Sequence, residues 1–291
     1  MTLGWIGEAL ASAPVEHALI AGTEIAFLSG LVGAFVMLRG QSFAGHVLTD
    51  VGTTGGAGAY LVGMNGWFGF LSFGVLASVG MELAGGRTRG ERDLATGVVL
   101  SLALGFGALF LYLDAQLAHA NASMAVLFGS LFTLDPALVP WISLTAAACV
   151  VAMLLIWRPL ALASVNPDLA RVRGVPVRAI SIAFMVVLAV AVETDALVAG
   201  SLLATALIVG PAATAARFTT SPLRAGLVGG LLGALLVAAS VLLSYDSYTW
   251  LPQHTSWPVS FFVAAFTFFA YAIAAATHRV AFQRRAEVEL P

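Results

Sequence analysis

The chain has 291 residues, 60% of them hydrophobic and only 10% charged, and its mean hydropathy is +0.96. Soluble domains carry about 25% charged residues, and a soluble fold of this size still exposes about a quarter of its unfolded surface. This composition therefore excludes an ordinary soluble enzyme, a disordered chain and a disulfide scaffold, and leaves an integral membrane protein with many spans. The net charge of −2 sets 15 acids against 13 basic residues, every one of them arginine. Without lysine there is no phosphate-loop lysine, no Schiff base and no lysine general base. The single cysteine, Cys149, excludes an intramolecular disulfide and a multi-cysteine metal site. Nothing in the charge balance marks a nucleic-acid partner.

Residues 1–16 carry Glu8 and Glu16 but no basic residue, unlike a cleaved signal. Apolar runs then predict spans at about 17–38, 42–63, 66–84, 94–113, 137–157, 179–194, 197–216, 222–244 and 257–277. A crossing helix needs about 20 residues. The second and seventh runs are rich in glycine or carry proline and read as broken or re-entrant; the sixth is short. The expected fold is an all-α integral membrane protein, a polytopic helical bundle of about 8–9 transmembrane helices. It forms one transmembrane domain over 1–291, with about 17–277 embedded and 278–291 as a tail.

The arginines orient this bundle. With residue 1 outside, all 13 fall in inside segments, and none falls in 1–16, 64–65, 114–136, 195–196 or 245–256. The positive-inside rule then puts the N-terminus outside and the C-terminus inside. Gly52 and Gly56, Gly226 and Gly230, and Gly229 and Gly233 are paired at four-residue spacing, which suits close helix packing within the bundle or, as the lesser reading, a dimer face.

Ionisable residues inside a membrane are costly and need a partner or a wet cavity. In the second span His46 and Asp50 stand four residues apart, on one helix face. Counting from Arg39, Asp50 lies roughly 16 Å deep, near the midplane of the hydrocarbon. An imidazole and a carboxylate together suit a divalent cation. They also suit a plain His–Asp hydrogen bond that lets both tolerate the membrane. Two ligands do not close a site; Thr49, Thr53 and Thr54 add hydroxyls nearby. Glu24 either lines a pore entrance or pairs with a neighbouring helix, the latter being the expectation, and Glu82 is expected to pair with Arg87. Glu193 and Asp195, at the outer mouth, and Asp114, Asp135 and Asp246 in other outer loops either attract cations or are plain solvated loop residues, the latter being the expectation, as for His119 and His254. Residues 158–178 form the longest inner segment. Asn166 and Pro167 open a short helix there, Asp168 favours its N-terminus, and Gly174 and Pro176 stop it. A short helix with Arg171 and Arg173 is either a docking element or a passive loop.

Five stretches together resemble the membrane permease subunit of the metal-uptake ABC transporters, which import zinc, manganese or iron. In place of that family's Gly-Asp-Ala-x-Ser-His-Ala-Val-x-Pro-Gly, the chain reads Gly45-His46-Val47-Leu48-Thr49-Asp50-Val51-Gly52-Thr53-Thr54-Gly55. The Asp and His are exchanged and threonine replaces proline, but both ligand types stay on one face. Arg92–Gly97, Leu127–Leu131, Asn166–Arg178 and Ala199–Ala215 are similar to further family stretches in the same order. The resemblance implies that His46 and Asp50 line a metal path. It also implies that Asn166, Pro167, Asp168, Leu169, Arg171, Arg173 and Gly174 form a cytoplasmic coupling helix that meets an ATPase. Implied partners are a second permease subunit (a homodimer), two cytoplasmic ATPase subunits and an extracytoplasmic metal-binding protein, in a bacterial cytoplasmic membrane. The subunit itself would catalyse nothing and hold no permanent cofactor; zinc or manganese, and less readily iron, would be cargo. A permease for an iron chelate and a stand-alone secondary carrier remain as rivals. An intramembrane metalloenzyme lacks its His-Glu-x-x-His ligand set.

Overall fold

The computed structural model describes residues 4–86, 88–116, 131–219, 221–250 and 256–288. The described residues form eleven α-helices: α1 (Gly4–Leu10), α2 (Ala13–Arg39), α3 (Ser42–Leu61), α4 (Gly66–Ala84), α5 (Arg89–Gln116), α6 (Val139–Val165), α7 (Pro167–Val172), α8 (Val177–Ala199), α9 (Ser201–Ala215), α10 (Pro222–Asp246) and α11 (Val259–Val288). Two single 3₁₀ turns add Leu131–Thr133 and Ser247–Thr249. Local chemistry sets many of these boundaries. Proline stands in the first turn of α2, α6, α7 and α10, where its missing N–H costs no helical bond. Gly40 ends α2 with φ of 65°, its N–H bonded back to Met37, a left-handed cap that favours glycine.

Each of the nine expected spans falls on a helix. Seven of these, α2, α4, α5, α6, α8, α10 and α11, are long and apolar enough to cross a bilayer. The protein is a multi-pass membrane protein. Glycines, threonines, His46 and Asp50 make α3 less apolar, and α9 has only 15 residues. α3 runs unbroken, so the break expected there does not occur; the seventh run, 197–216, is broken at Gly200 between α8 and α9, while α9 itself continues through Pro211. The tail expected from 278 is a helical continuation of α11 as far as Val288.

Burial divides the bundle into a centre and a rim. The apolar windows of α2 and α8 are each 72% buried, whereas that of α5 is 17% buried and turns its apolar side outward. Between α2, α6 and α8, Phe35 meets Trp157 edge-on at 4.6 Å and Phe184 at 6.1 Å. Cys149 lies buried in the same cluster.

Small residues bring backbones together. A Cβ on Gly30 of α2 would stand 2.4 Å from the backbone of Gly229 and of Gly230 on α10. One on Gly33 would stand 1.9 Å from the Ile208 carbonyl oxygen of α9. Gly226 and Gly233 press on α2 in the same way, so both α10 glycine pairs serve packing within the bundle. Gly55 of α3 and Gly69 of α4 meet likewise, each facing the other's carbonyl oxygen.

One sequence expectation is overturned. Glu193 and Asp195 are not in a solvated outer loop. The sixth span does not stop at 194 but continues as α8 to Ala199, and the chain turns at Gly200, whose φ of 93° suits glycine. Both acids are buried, at 1% and 0% exposure. A pair of acids marks a loop only if it faces water; here protein surrounds both.

Valine at Gly30 has only backbone to push against, so Gly30→Val should cost about 3 kcal/mol or more through overpacking. Gly80→Ala meets nothing within 4 Å and should be neutral or stabilising by about 0.5–1 kcal/mol. Thermal unfolding in detergent checks the pair, and a Gly30→Val protein that melts like the wild type would refute the seam.

Candidate cation pathway

Helix α3 carries the exchanged ligand pair. His46 is exposed and Asp50 half-buried, on the face that also carries Phe43, Thr53 and Tyr60. Within a single chain this face is open. His46 and Asp50 are near enough to interact electrostatically, yet among the described residues no hydrogen bond joins them. His46 instead places Nδ1 3.3 Å from the Thr205 hydroxyl of α9, a partner 159 residues away. Mutual hydrogen bonding is therefore not what accommodates this pair.

The nearby threonines do not serve as free hydroxyl ligands. Thr49 donates to the Gly45 carbonyl oxygen at 3.2 Å, and Thr53 to that of Asp50 at 2.8 Å. Thr54 reaches the carbonyl oxygens of Asp50 at 3.0 Å and of Ala103 on α5 at 2.9 Å. This back-bonding is what hydroxyls commonly do within helices. Among the described residues no three His, Cys, Asp or Glu side chains converge on a metal-sized site. One chain thus offers one imidazole and one carboxylate on an open face.

The other intramembrane acids sort by partner. Glu24 accepts from the Ser143 hydroxyl of α6 at 2.6 Å, the expected pairing with a neighbouring helix. Asp195 accepts a short hydrogen bond from Ser29 of α2 through Oδ2, while its Oδ1 has no partner. Glu193 has no hydrogen-bond partner on either oxygen. Sequence reasoning did not bring Glu193 against α3, where it packs on Gly52. Asp135 and Asp246 hold their local turns, by accepting from Ala137 N–H and Trp250 Nε1, each at 2.9 Å. His119, His254 and most of the 127–131 stretch lie outside the described residues.

At the end of the bundle marked by Arg39, polar groups gather. Arg39 donates to Gln41 at 2.9 Å and to Ser181 at 2.6 Å and feels the charges of Glu82 and Arg92. Arg87, the partner expected for Glu82, lies outside the described residues. The same end carries α7. Asn166 caps it by accepting from Leu169 N–H at 2.9 Å, and Asp168 pairs with Arg171 at 2.6 Å. Asn166, Pro167, Asp168, Leu169, Arg171, Arg173 and Gly174 are all exposed, while Ala170 anchors the helix at 0% exposure. Val172 is 85% exposed, a bare apolar side chain between two arginines. Beside it runs a cleft of about 950 Å³ lined by Arg92, Arg171, Pro176 and Arg178.

The chain is similar to known proteins. The chain is 29% identical over 237 residues to the manganese import system permease protein ScaB of Streptococcus gordonii, covering 81% of this chain and 82% of that one. It is 23% identical over 206 residues to the high-affinity zinc uptake system membrane protein ZnuB of Haemophilus influenzae, covering 70% and 78%. Its fold matches a chain of PsaBC from Streptococcus pneumoniae in complex with Fab, with a TM-score of 0.79 at 22% identity over 94% of this chain and 95% of the other. The profile of the ABC 3 transport family matches residues 13–274, nearly the whole bundle. The chain belongs to the ABC 3 transport family.

Proposed function

We propose that this chain is the membrane subunit of an ATP-driven importer for a divalent transition metal ion, manganese or zinc. The observation that carries this reading is the open face of α3, where His46 and Asp50 present one nitrogen and one oxygen ligand without bonding each other. The names of the relatives, a manganese importer and a zinc uptake system, support it. A second copy facing the first across this surface would double the donor set to two imidazoles and two carboxylates, a mixed set suited to manganese or zinc. Transport needs such a site to hold the ion and then release it. Access alternates from one side of the membrane to the other around it.

The exposed α7, tied down by Ala170 and capped by Asn166, is the element that takes up movement from an ATPase. Arg171, Val172 and Arg173 present charge and apolar surface together, as a docking face does. A secondary carrier has no use for this helix. Nucleotide hydrolysis belongs to two separate subunits, and an extracytoplasmic binding protein delivers the ion. The arginines orient the assembly, with α7 in the cytoplasm and the 245–256 segment outside. The whole chain, 1–291, acts as one domain.

The ligand reading is tested by His46→Ala and Asp50→Ala. Each should lower manganese or zinc uptake by about tenfold or more, since each removes half of the donors that one chain offers. Detergent melting curves confirm that the variants fold. Wild-type uptake by both, in properly assembled complexes, would leave the pair without a role in transport.

Charge reversal at Arg171 and Arg173 together should lower metal-stimulated ATP hydrolysis while the bundle melts normally. Undiminished stimulation would remove these residues from the docking face. Orientation is read by thiol labelling. Tyr248→Cys should react with an impermeant reagent on intact cells, and Val172→Cys only after permeabilisation; the reverse pattern would invert the topology.

A further inference from the structure

Threonine hydroxyls in this bundle mostly turn back on their own helices. Thr23, Thr49, Thr54, Thr194 and Thr214 each donate to the carbonyl oxygen four residues earlier, the local bond that a mid-helix threonine ordinarily makes. Thr205 of α9 does not. Its Oγ1 stands 3.3 Å from Nδ1 of His46, and among the described residues this ring is its only hydrogen-bond partner. The local bond is forgone for a contact between two helices.

The two sides of that contact differ in freedom. One turn beyond Thr205, Ile208 is 1% exposed and its carbonyl oxygen abuts α2, where a Cβ on Gly33 would stand 1.9 Å away. Further on, the backbone of Ala212 lies 3.1 Å from where a Cβ on Gly229 of α10 would stand. Helix α9 is thus seated by main-chain contact. His46 is exposed on the open face of α3, and among the described residues Thr205 alone bonds its ring. The last torsion of a histidine side chain is broad, so an unbonded ring has no fixed facing. The hydroxyl supplies one.

The two ring nitrogens have separate tasks. A cation takes an unprotonated nitrogen; the other then carries the proton and needs an acceptor. With Nδ1 at Thr205, the nitrogen left for a ligand is Nε2. A hydroxyl suits this place because it both donates and accepts. It donates to Nδ1 when Nε2 holds the proton, and accepts from Nδ1 when Nε2 holds a cation. A carbonyl oxygen would serve the second state only, and an aliphatic side chain neither.

We propose that Thr205 is a positioning residue of the cation pathway: it accepts the Nδ1–H of His46 and so presents Nε2 to the transported ion, without touching the ion itself. The inference rests on the pathway reading above. It bears on which ion the site prefers. Zinc draws more strongly on imidazole nitrogen than manganese does, and carboxylate oxygen suits manganese. A fixed His46 therefore favours zinc, and Thr205 sets that preference from a neighbouring helix.

The purified permease–ATPase complex, titrated calorimetrically with Zn²⁺ alone and with Mn²⁺ alone, tests this. Thr205→Val keeps the branched shape and loses the hydroxyl; Thr205→Ser keeps the hydroxyl. Thr205→Val should weaken Zn²⁺ binding by about tenfold and Mn²⁺ binding by less, the same order of losses as in His46→Ala. Thr205→Ser should bind both ions like the wild type. Wild-type Zn²⁺ affinity in Thr205→Val overturns the proposal. So does a loss in Thr205→Ser as large as in Thr205→Val, since the hydroxyl is then not what matters. Equal losses for both ions also overturn it, because they mark damage to the site as a whole. If the valine variant melts below the wild type, Thr205→Ala takes its place and is judged by the same outcomes. Titration of His46→Ala and Asp50→Ala separates the two claims. If these lose binding and Thr205→Val does not, only the positioning role fails. If these bind both ions normally, the pathway reading itself fails.

Discussion

The bundle depends on direct contact between helix backbones. In lipid, burying apolar side chains against one another gains little, because the hydrocarbon is as apolar as leucine; close packing and short-range attraction must hold the helices. Gly30 against Gly229 and Gly230, Gly33 against Ile208, and Gly55 against Gly69 bring main chain to main chain. These contacts put α2 at the centre, with α10 and α9 upon it, and set α4 against α3. The aromatic trio Phe35, Trp157 and Phe184 then fills the space that the wider-set helices leave.

Polar groups are accommodated by the same economy of space. Serine and threonine hydroxyls turn back onto carbonyl oxygens of their own helices, as at Thr49, Thr53, Thr194 and Thr214. Two acids find a hydroxyl on a facing helix: Glu24 on Ser143 and Asp195 on Ser29. Glu193 finds none, and Gly52 and Gly74 make room for it all the same. The missing side chains at these two positions thus house a carboxyl group instead of joining two backbones.

Much of this was legible in the sequence. Runs of apolar residues located every spanning helix, because length and hydropathy are local properties. The four-residue spacing of His46 and Asp50 put them on one face, and Asn166-Pro167 announced α7 by capping chemistry alone. What was not legible came from long-range packing. The Thr205 partner of His46 is 159 residues distant. The burial of Glu193 and Asp195 inverted their reading, since two acids near the end of an apolar run look like the start of a loop until neighbouring helices enclose them. Gly52 and Gly56 resembled a helix-packing pair, yet Gly52 faces a carboxylate and Gly56 the ring of Phe70. Spacing reveals that a residue is small, not what fills the space it leaves.

The α2–α10 seam has a mechanical consequence. Where Gly30 meets Gly229 and Gly230, no flexible side chain lies between the two main chains to lubricate a slide. A shift of either helix along the other by a fraction of a turn would drive Leu31 or Phe27 into the backbone opposite. The two helices therefore travel as one rigid body, the fixed frame of the machine. Movement is to be sought among the other helices.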